Sequence, residues 1–259
     1  MNKIAVCGKG GVGKTTLTSL LVYSLEEDGK KVYAIDADPN PTLAEALGMP
    51  YETIDKITPI IEMKELIAER TGAKTGEYGS YFKLNPYVKD IPQKFSVNKG
   101  NINLLIMGAM RGADKGCACA QNAMLKALVT HLMISEKEAV VMDMVAGTEH
   151  LGRGTAKSVD AMIIVVEPGM RSIKVAKEFY KMSKDLGIKN IYVVGNKVSC
   201  EEDKDYIKMH LVDYKIVGFI PTANTAVLAE RQGVALYEIS EEMRKISREI
   251  LDKVLLSRE

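Results

Sequence analysis

The chain has 259 residues, of which 46% are hydrophobic and 27% are charged, and its formal net charge is +1. Acids and bases are interspersed, so the sequence carries no basic footprint for duplex nucleic acid, and no apolar run approaches the roughly 18 residues of a membrane span. We therefore expect one large α/β domain over 1–259 that binds neither nucleic acid nor membrane. Because the N-terminal apolar run lacks the architecture of a signal peptide, we expect a cytoplasmic protein.

The first predicted element is an apolar strand, residues 3–7, that leads into a glycine-rich loop and then into a helix with leucines on one face. The loop reads Gly8, Lys9, Gly10, Gly11, Val12, Gly13, Lys14, Thr15 and Thr16. This pattern between a strand and a helix is typical of a P-loop, whose backbone N–H groups and helix dipole face phosphate oxygens. In a P-loop, Lys14 reaches the β- and γ-phosphates and Thr15 holds Mg²⁺. The sequence thus predicts an ATP/ADP site.

A second lysine in the loop indicates a particular class of P-loop protein. Lys9 before Gly10 and Gly11 gives the K-G-G-x-G-K-T form, which resembles the deviant Walker A ATPases: MinD, ParA, the nitrogenase iron protein and metal-insertion relatives. The resemblance implies a three-layer fold with a mostly parallel central sheet. It also implies an ATP-bound homodimer in which Lys9 crosses the interface and joins Lys14 at the catalytic centre. The alternative is that Lys9 is one more exposed lysine.

The second predicted strand, residues 32–35, ends in Asp36 and Asp38. Carboxylates at the carboxyl end of a parallel strand lie where α/β sheets bind ligands. The resemblance implies that Asp38 orients or activates the attacking water, and we expect Asp36 in the Mg²⁺ shell, directly or through water. An alternative role for Asp38 is to cap a helix over residues 43–47.

The following stretch carries a weaker signal. We expect a helix from residue 57 to residue 70, and then an irregular insertion around 71–100 that contains several glycines and aromatic residues. A stretch of this length without periodicity is usually a functional loop. Its aromatic residues could contact a partner or cover the core.

A strand over 102–107 and a polar loop over 108–116 come next, and then Cys117 and Cys119 before a helix. The strand after that helix, residues 139–142, ends in Asp143. The order of elements and the glycine at Gly147 resemble the Walker B carboxylate and the switch II loop of these ATPases, which implies that Asp143 reaches Mg²⁺. The alternative is a simple turn after a strand.

Further predicted strands cover 161–166, 191–195 and 215–219, with an amphipathic helix after the first of them. Asn196 and Lys197 occupy the family's base-binding N-K position, and an amide can read the adenine edge because it carries a donor and an acceptor. Ile220 and Pro221 resemble the segment that lines the base. The last helix, from Ile239 to Val254, mixes acidic and basic residues on its polar side, so we expect core packing rather than a basic membrane anchor.

Two of the four cysteines form a C-x-C pair, Cys117 and Cys119, whereas Cys7 and Cys200 are isolated and indicate packing. Two thiolates are too few for a closed four-coordinate site. If Lys9 implies a two-fold dimer, the same symmetry could bring two pairs together and supply four sulfurs. Such a site would suit Zn²⁺ or an iron–sulfur cluster when tetrahedral, and Ni²⁺ when square planar.

Three segments together resemble the CooC-type ATPases, which mature carbon monoxide dehydrogenase by inserting nickel: residues 57–63, the C-x-C pair and residues 139–151. The accessory ATPase of acetyl-CoA synthase is equally similar. The resemblance covers essentially the whole chain and implies a dimer that holds Ni²⁺, or Zn²⁺, between two Cys117/Cys119 pairs. The nitrogenase iron protein has a cluster-binding cysteine in switch II where this chain has Ala146, so its cluster ligands do not carry over. His150 is expected to form hydrogen bonds rather than to bind metal.

These expectations combine into a nucleotide switch. ATP and Mg²⁺ would draw two chains together, hydrolysis at Asp38 would relax the segments that contact the γ-phosphate, and the thiolate site would hold or release nickel for its client. Two other readings stay open: a ParA/MinD-type partitioning ATPase, and an iron–sulfur carrier or redox protein.

Overall fold

The computed structural model describes residues 2–38, 40–73, 81–108, 118–131, 135–144 and 159–256. Its strands are β1 Lys3–Gly8, β2 Lys31–Ala37, β3 Val97–Lys99, β4 Ile102–Ile106, β5 Glu138–Met144, β6 Ala161–Val166, β7 Ile191–Val198 and β8 Ile216–Pro221. Its helices are α1 Lys14–Glu27, α2 Leu43–Ala46, α3 Tyr51–Ile54, α4 Lys64–Thr71, α5 Ile91–Phe95, α6 Ala118–His131, α7 Met170–Asp185, α8 Glu201–His210, α9 Asn224–Gln232, α10 Leu236–Ile239 and α11 Glu241–Leu256.

The described strands form one eight-stranded sheet in the order β3-β4-β2-β5-β1-β6-β7-β8. Neighbouring strands are parallel except for the edge pair, where β3 runs antiparallel to β4. The chain moves from β1 toward one edge and later returns past β1 toward the other. β1 therefore lies at the point where the direction of winding changes, and ligands bind at the carboxyl ends of strands at such points.

The central strands are apolar along their length because helices cover both faces of the sheet. Every residue of β6 is buried. One core contains Leu20 of α1 and Ile250 of α11, and the other contains Met124 of α6 and Ile173 of α7. This arrangement confirms the predicted three-layer α/β class with a mostly parallel sheet.

The segment after α3 differs from the expected helix over 57–70. A short 3₁₀ turn, Ile60–Glu62, comes first, and α4 begins only at Lys64. Pro59 disfavours a helical residue before it, and Met63, with φ −79° and ψ 73°, separates the turn from the helix.

The stretch 71–100 is less irregular in its second half than the sequence analysis expects, since it contains α5 and β3. Lys99 pairs with Ile102, so Gly100 and Asn101 form a two-residue hairpin loop. Gly100 has φ 58°, a left-handed conformation that two-residue hairpin loops require and that glycine adopts readily. The Gly-Asn pair was the available signal for this hairpin.

The end of the chain forms two helices rather than one, because Ser240 separates α10 from α11. Met243, Ile250 and Val254 of α11 are buried in the core that contains α1, which confirms the expected core packing. Ile239 lies in α10 and is partly exposed. None of the described helices is both long enough and apolar enough to cross a bilayer.

Candidate functional site

The glycine-rich loop follows β1 and ends where α1 begins at Lys14. Val12 points into the core and is fully buried, while Gly10 and Gly11 form the exposed tip. Gly13 caps α1 with φ 95°, and a Cβ atom at this position would lie 2.0 Å from Nδ2 of Asn196. Only glycine fits this close approach in a left-handed conformation. The loop is therefore anchored by Val12 and leaves its tip open to a ligand.

Lys14, Thr15 and Thr16 form the first turn of α1, with the Lys14 side chain buried. The Thr15 hydroxyl donates a hydrogen bond of 2.5 Å to Oδ2 of Asp143, which lies near the carboxyl end of β5. Asp143 Oδ1 is buried and has no hydrogen-bond partner among the residues that the structure describes. A hydroxyl oxygen and a carboxylate oxygen thus lie together beside the loop, and the second carboxylate oxygen of Asp143 is available to bind a metal ion.

This arrangement fits the magnesium ion that the fold implies, because Mg²⁺ binds hydroxyl and carboxylate oxygens beside phosphate. The pKa of Asp143 is raised to about 7, mainly by burial; the neighbouring carboxylate of Asp36 contributes to the rise, and the Thr15 hydrogen bond opposes it. Asp36 and Asp143 face each other in the register of β2 and β5. A divalent cation would relieve this repulsion.

Asp36 is fully buried, and both of its carboxylate oxygens accept backbone hydrogen bonds. Oδ1 accepts the N–H of Asp38 at 3.0 Å, and Oδ2 accepts the N–H groups of Thr42 and Leu43 at 2.9 Å. Burial raises the pKa of Asp36 although these bonds favour its charged form. Asp36 therefore fixes the turn between β2 and α2.

The alternative of Asp38 as a helix cap is wrong, because it is Asp36 that binds the first N–H groups at α2. Asp38 instead accepts the N–H of Asn40 at 2.9 Å and is half-buried. Its place on the turn leaves it available to a ligand, as a water-orienting residue would need. That role for Asp38, and a Mg²⁺ role for Asp36, stay predictions.

Two side chains from the end of β7 hold the P-loop. The amide Nδ2 of Asn196 donates to the Val12 carbonyl at 2.7 Å, and Nζ of Lys197 donates to the Gly11 carbonyl at 2.6 Å. Lys197 has φ 56°, an uncommon conformation for a residue with a side chain. Asn196 is buried, so in this structure its amide group supports the loop. Its contact with adenine stays a prediction.

The two residues that were predicted to line the base differ in their exposure. Ile220 is buried in the core cluster, whereas Pro221 is partly exposed at the end of β8. Pro221 pairs with Val198, the last residue of β7, and so lies near Lys197. Of the two residues, Pro221 has the surface that a base could contact.

Sequence reasoning missed one residue of this site, Glu167, which directly follows β6. Its Oε1 atom lies 3.0 Å from Nζ of Lys9, and its Oε2 atom lies 3.6 Å from Nζ of Lys197. The available signal was a carboxylate at the end of an apolar strand, as at Asp36 and Asp143. A prediction of strand order would also have been needed to place it beside the P-loop.

The predicted metal ligands are described only in part. Cys117 and His150 lie outside the described residues, as does most of the switch II segment, while Cys119 belongs to the first turn of α6. That helix begins at Ala118, earlier than expected. Within the described ranges, no group of three or more His, Cys, Asp or Glu residues could hold a metal ion. Cys7 is buried, and burial raises the pKa of its thiol to about 12, which agrees with its expected packing role. The same expectation for Cys200 is wrong, because that side chain is exposed.

Comparisons with known proteins agree with this geometry. Residues 3–236 match the family model described as the CobQ/CobB/MinD/ParA nucleotide binding domain. The chain is 42% identical over 238 residues to the carbon monoxide dehydrogenase accessory protein CooC of Rhodospirillum rubrum, covering 92% of this chain and 90% of CooC. It is 44% identical over 234 residues to an ATP-binding protein of Methanocaldococcus jannaschii, covering 89% of each chain.

Solved structures show the same fold. MinD of Aquifex aeolicus aligns with a TM-score of 0.69 at 21% identity, covering 100% of this chain and 99% of MinD. A ParA family ATPase of Chlorobium tepidum aligns with a TM-score of 0.72 at 16% identity, covering 98% of each chain. These matches confirm the resemblance to the MinD/ParA and CooC-type ATPases. The chain belongs to the CobQ/CobB/MinD/ParA family of nucleotide-binding domains.

Proposed function

We propose that this protein is an ATPase that delivers Ni²⁺ to carbon monoxide dehydrogenase or acetyl-CoA synthase. The observation that carries the proposal is the 42% identity to CooC over 92% of the chain, in a protein whose P-loop lies beside a Thr15–Asp143 pair. The fold alone does not choose a client, because this family serves several functions.

The ATPase step uses the residues around the loop. The backbone N–H groups of the loop and the Lys14 ammonium bind the phosphates, and Thr15 and Asp143 would hold Mg²⁺, which neutralises phosphate charge. Asp38 orients the water that attacks the γ-phosphorus. Asn196 and Lys197 keep the loop in shape through its Val12 and Gly11 carbonyls, and Pro221 borders the base.

The nickel step uses a second copy of the chain. In the ATP-bound homodimer Lys9 contacts the partner's nucleotide, and the two Cys117/Cys119 pairs share one Ni²⁺ as cargo, with Zn²⁺ able to occupy the same sulfurs. Cys119 lies in the first turn of α6, and the strand that follows α6 carries Asp143. We infer that this continuous segment transmits the nucleotide state to the thiolates, and that hydrolysis loosens the site and releases the metal.

Metal binding by a cysteine variant tests this proposal. Equilibrium dialysis with Ni²⁺ should give about one metal per two chains for the natural protein. The double variant Cys117→Ala, Cys119→Ala should lose this metal, while nucleotide binding measured in parallel reports on its fold. Cys200→Ala is the matched control, because Cys200 is an exposed cysteine directly before α8 and is not part of the C-x-C pair.

Undiminished nickel binding by the double variant would contradict the assignment. Iron and visible charge-transfer absorption in protein purified without oxygen would favour the iron–sulfur alternative instead.

A further inference from the structure

Glu167 lies where two neighbouring strands end. β1 and β6 are parallel neighbours, and Gly8 pairs with Val165 in their register. The chain leaves β1 through Lys9 and leaves β6 through Glu167, so the fold brings these two residues together. Oε1 of Glu167 lies 3.0 Å from Nζ of Lys9 within the same subunit.

The backbone of Glu167 is anchored at the end of β6, and its carboxylate has a second lysine partner besides Lys9. The Glu167 N–H donates to Ser172 Oγ at 3.1 Å, and Pro168 follows directly. Lys9 directly precedes the exposed tip of the P-loop, and its long side chain is partly exposed. When the pair separates, we therefore expect the ammonium group of Lys9 to move while the carboxylate stays with the sheet.

The same carboxylate also faces Lys197, with Oε2 3.6 Å from its Nζ. Lys197 in turn binds the Gly11 carbonyl. Glu167 thus restrains one lysine of the P-loop and one lysine that supports it. Its side chain is about one-quarter exposed, so the pairing is partly screened by solvent and can be exchanged for a stronger partner.

We propose that Glu167 is a positioning residue that holds Lys9 within its own subunit and so opposes assembly of the dimer until nucleotide is bound. This rests on the proposed ATP-dependent dimer, in which Lys9 contacts the partner's phosphates. One ammonium group cannot contact both the glutamate and the partner's nucleotide at full strength. Phosphate carries more negative charge than a carboxylate. Lys9 therefore leaves Glu167 for the phosphates of a nucleotide-loaded partner, whereas it stays with Glu167 when the partner is empty.

The variant Glu167→Gln tests the proposal, because it keeps the shape of the side chain and removes its charge. A partly exposed ion pair is worth about a threefold change in an equilibrium constant. Since each dimer releases two such pairs, the dissociation constant of the dimer should fall about tenfold. Sedimentation velocity with Mg²⁺ and a non-hydrolysable ATP analogue measures this constant, and the same measurement with ADP gives the baseline.

Two further variants separate positioning from a general effect on the fold. Glu167→Asp keeps the charge and should restore most of the natural dissociation constant. Glu201→Gln is the matched control, since it breaks a surface ion pair with Lys204 on α8 and should leave dimerisation unchanged. Thermal unfolding of all three variants should show that they fold.

An unchanged or weaker Glu167→Gln dimer would overturn the proposal, and so would the absence of a dimer in both the natural protein and this variant. A dimer that forms only in the variant would support it. Loss of the nickel assignment in the cysteine experiment would leave this result standing, so the two ideas fail separately.

Discussion

Two groups of side chains border the same loop and are built in opposite ways. Asp36 and Asp143 are almost completely buried, at 0% and 1% exposure, and are fixed by backbone N–H groups and the Thr15 hydroxyl. Lys9, Glu167 and Lys197 are held by partly exposed ion pairs. The first group is held rigidly in place, as the proposed magnesium site requires. The second can exchange partners at small cost, which a subunit interface requires.

The largest effect on activity should come from a change in the buried carboxylates. Asp143→Asn removes the charge that would hold Mg²⁺ but keeps the shape of the side chain, so ATP hydrolysis should fall at least about a hundredfold. Steady-state phosphate release at saturating ATP and Mg²⁺ measures it. A rate within a factor of three of the natural protein would show that the buried group is not the magnesium site.

The pH dependence of stability tests the same group without nucleotide or magnesium. Folding raises the pKa of Asp143 from its ordinary value of 3.8 to about 7, so the folded state binds the proton more tightly than the unfolded state. The contribution of Asp143 to the free energy of unfolding should therefore be largest below about pH 4 and fall by about 2 to 4 kcal/mol as the pH rises to about 7. Asp36, whose pKa is also raised, acts in the same direction.

Denaturant unfolding of the natural protein and of Asp143→Asn across this range isolates the contribution, because other carboxylates cancel in the difference. The variant should be less sensitive to pH between about 4 and 7. Equal pH profiles would mean that Asp143 stays charged in the folded protein.

A smaller effect on stability is expected at the contact between the P-loop and Asn196. Gly13→Ala places a Cβ atom 2.0 Å from the Asn196 amide in a left-handed conformation. The free energy of unfolding should fall by about 1 to 3 kcal/mol, and nucleotide affinity should fall with it. Gly29→Ala is the control, since its φ is also positive and no atom lies within 4 Å of an added Cβ atom. Equal losses in both variants would assign the effect to backbone strain alone.

The smallest effect should come from the amide itself. Asn196→Ala removes the hydrogen bond to the Val12 carbonyl and should lower stability by about 1 kcal/mol. If Asn196 also contacts adenine, ATP affinity should fall more than the affinity for inorganic triphosphate, which lacks a base. Isothermal titration with both ligands distinguishes support of the loop from recognition of the base.

The sequence predicts the parts of this molecule that follow from local patterns. Continuous apolar strands, the P-loop spacing and the carboxylates at strand ends predict the sheet and place Thr15 and Asp143 at its carboxyl edge. The order of strands in space is not a local property, so the Lys9–Glu167 pair could not be predicted. That Asp36 rather than Asp38 binds the first N–H groups at α2 also depends on how the chain turns back toward Thr42.

Native mass spectrometry of the natural protein with Ni²⁺, with and without Mg²⁺ and a non-hydrolysable ATP analogue, tests the central claim most directly. The account predicts a species of two chains, one nickel ion and two nucleotides, which is lost when the double variant Cys117→Ala, Cys119→Ala replaces the natural chain. Nickel bound to single chains, or nucleotide-loaded dimers that bind none, would contradict it.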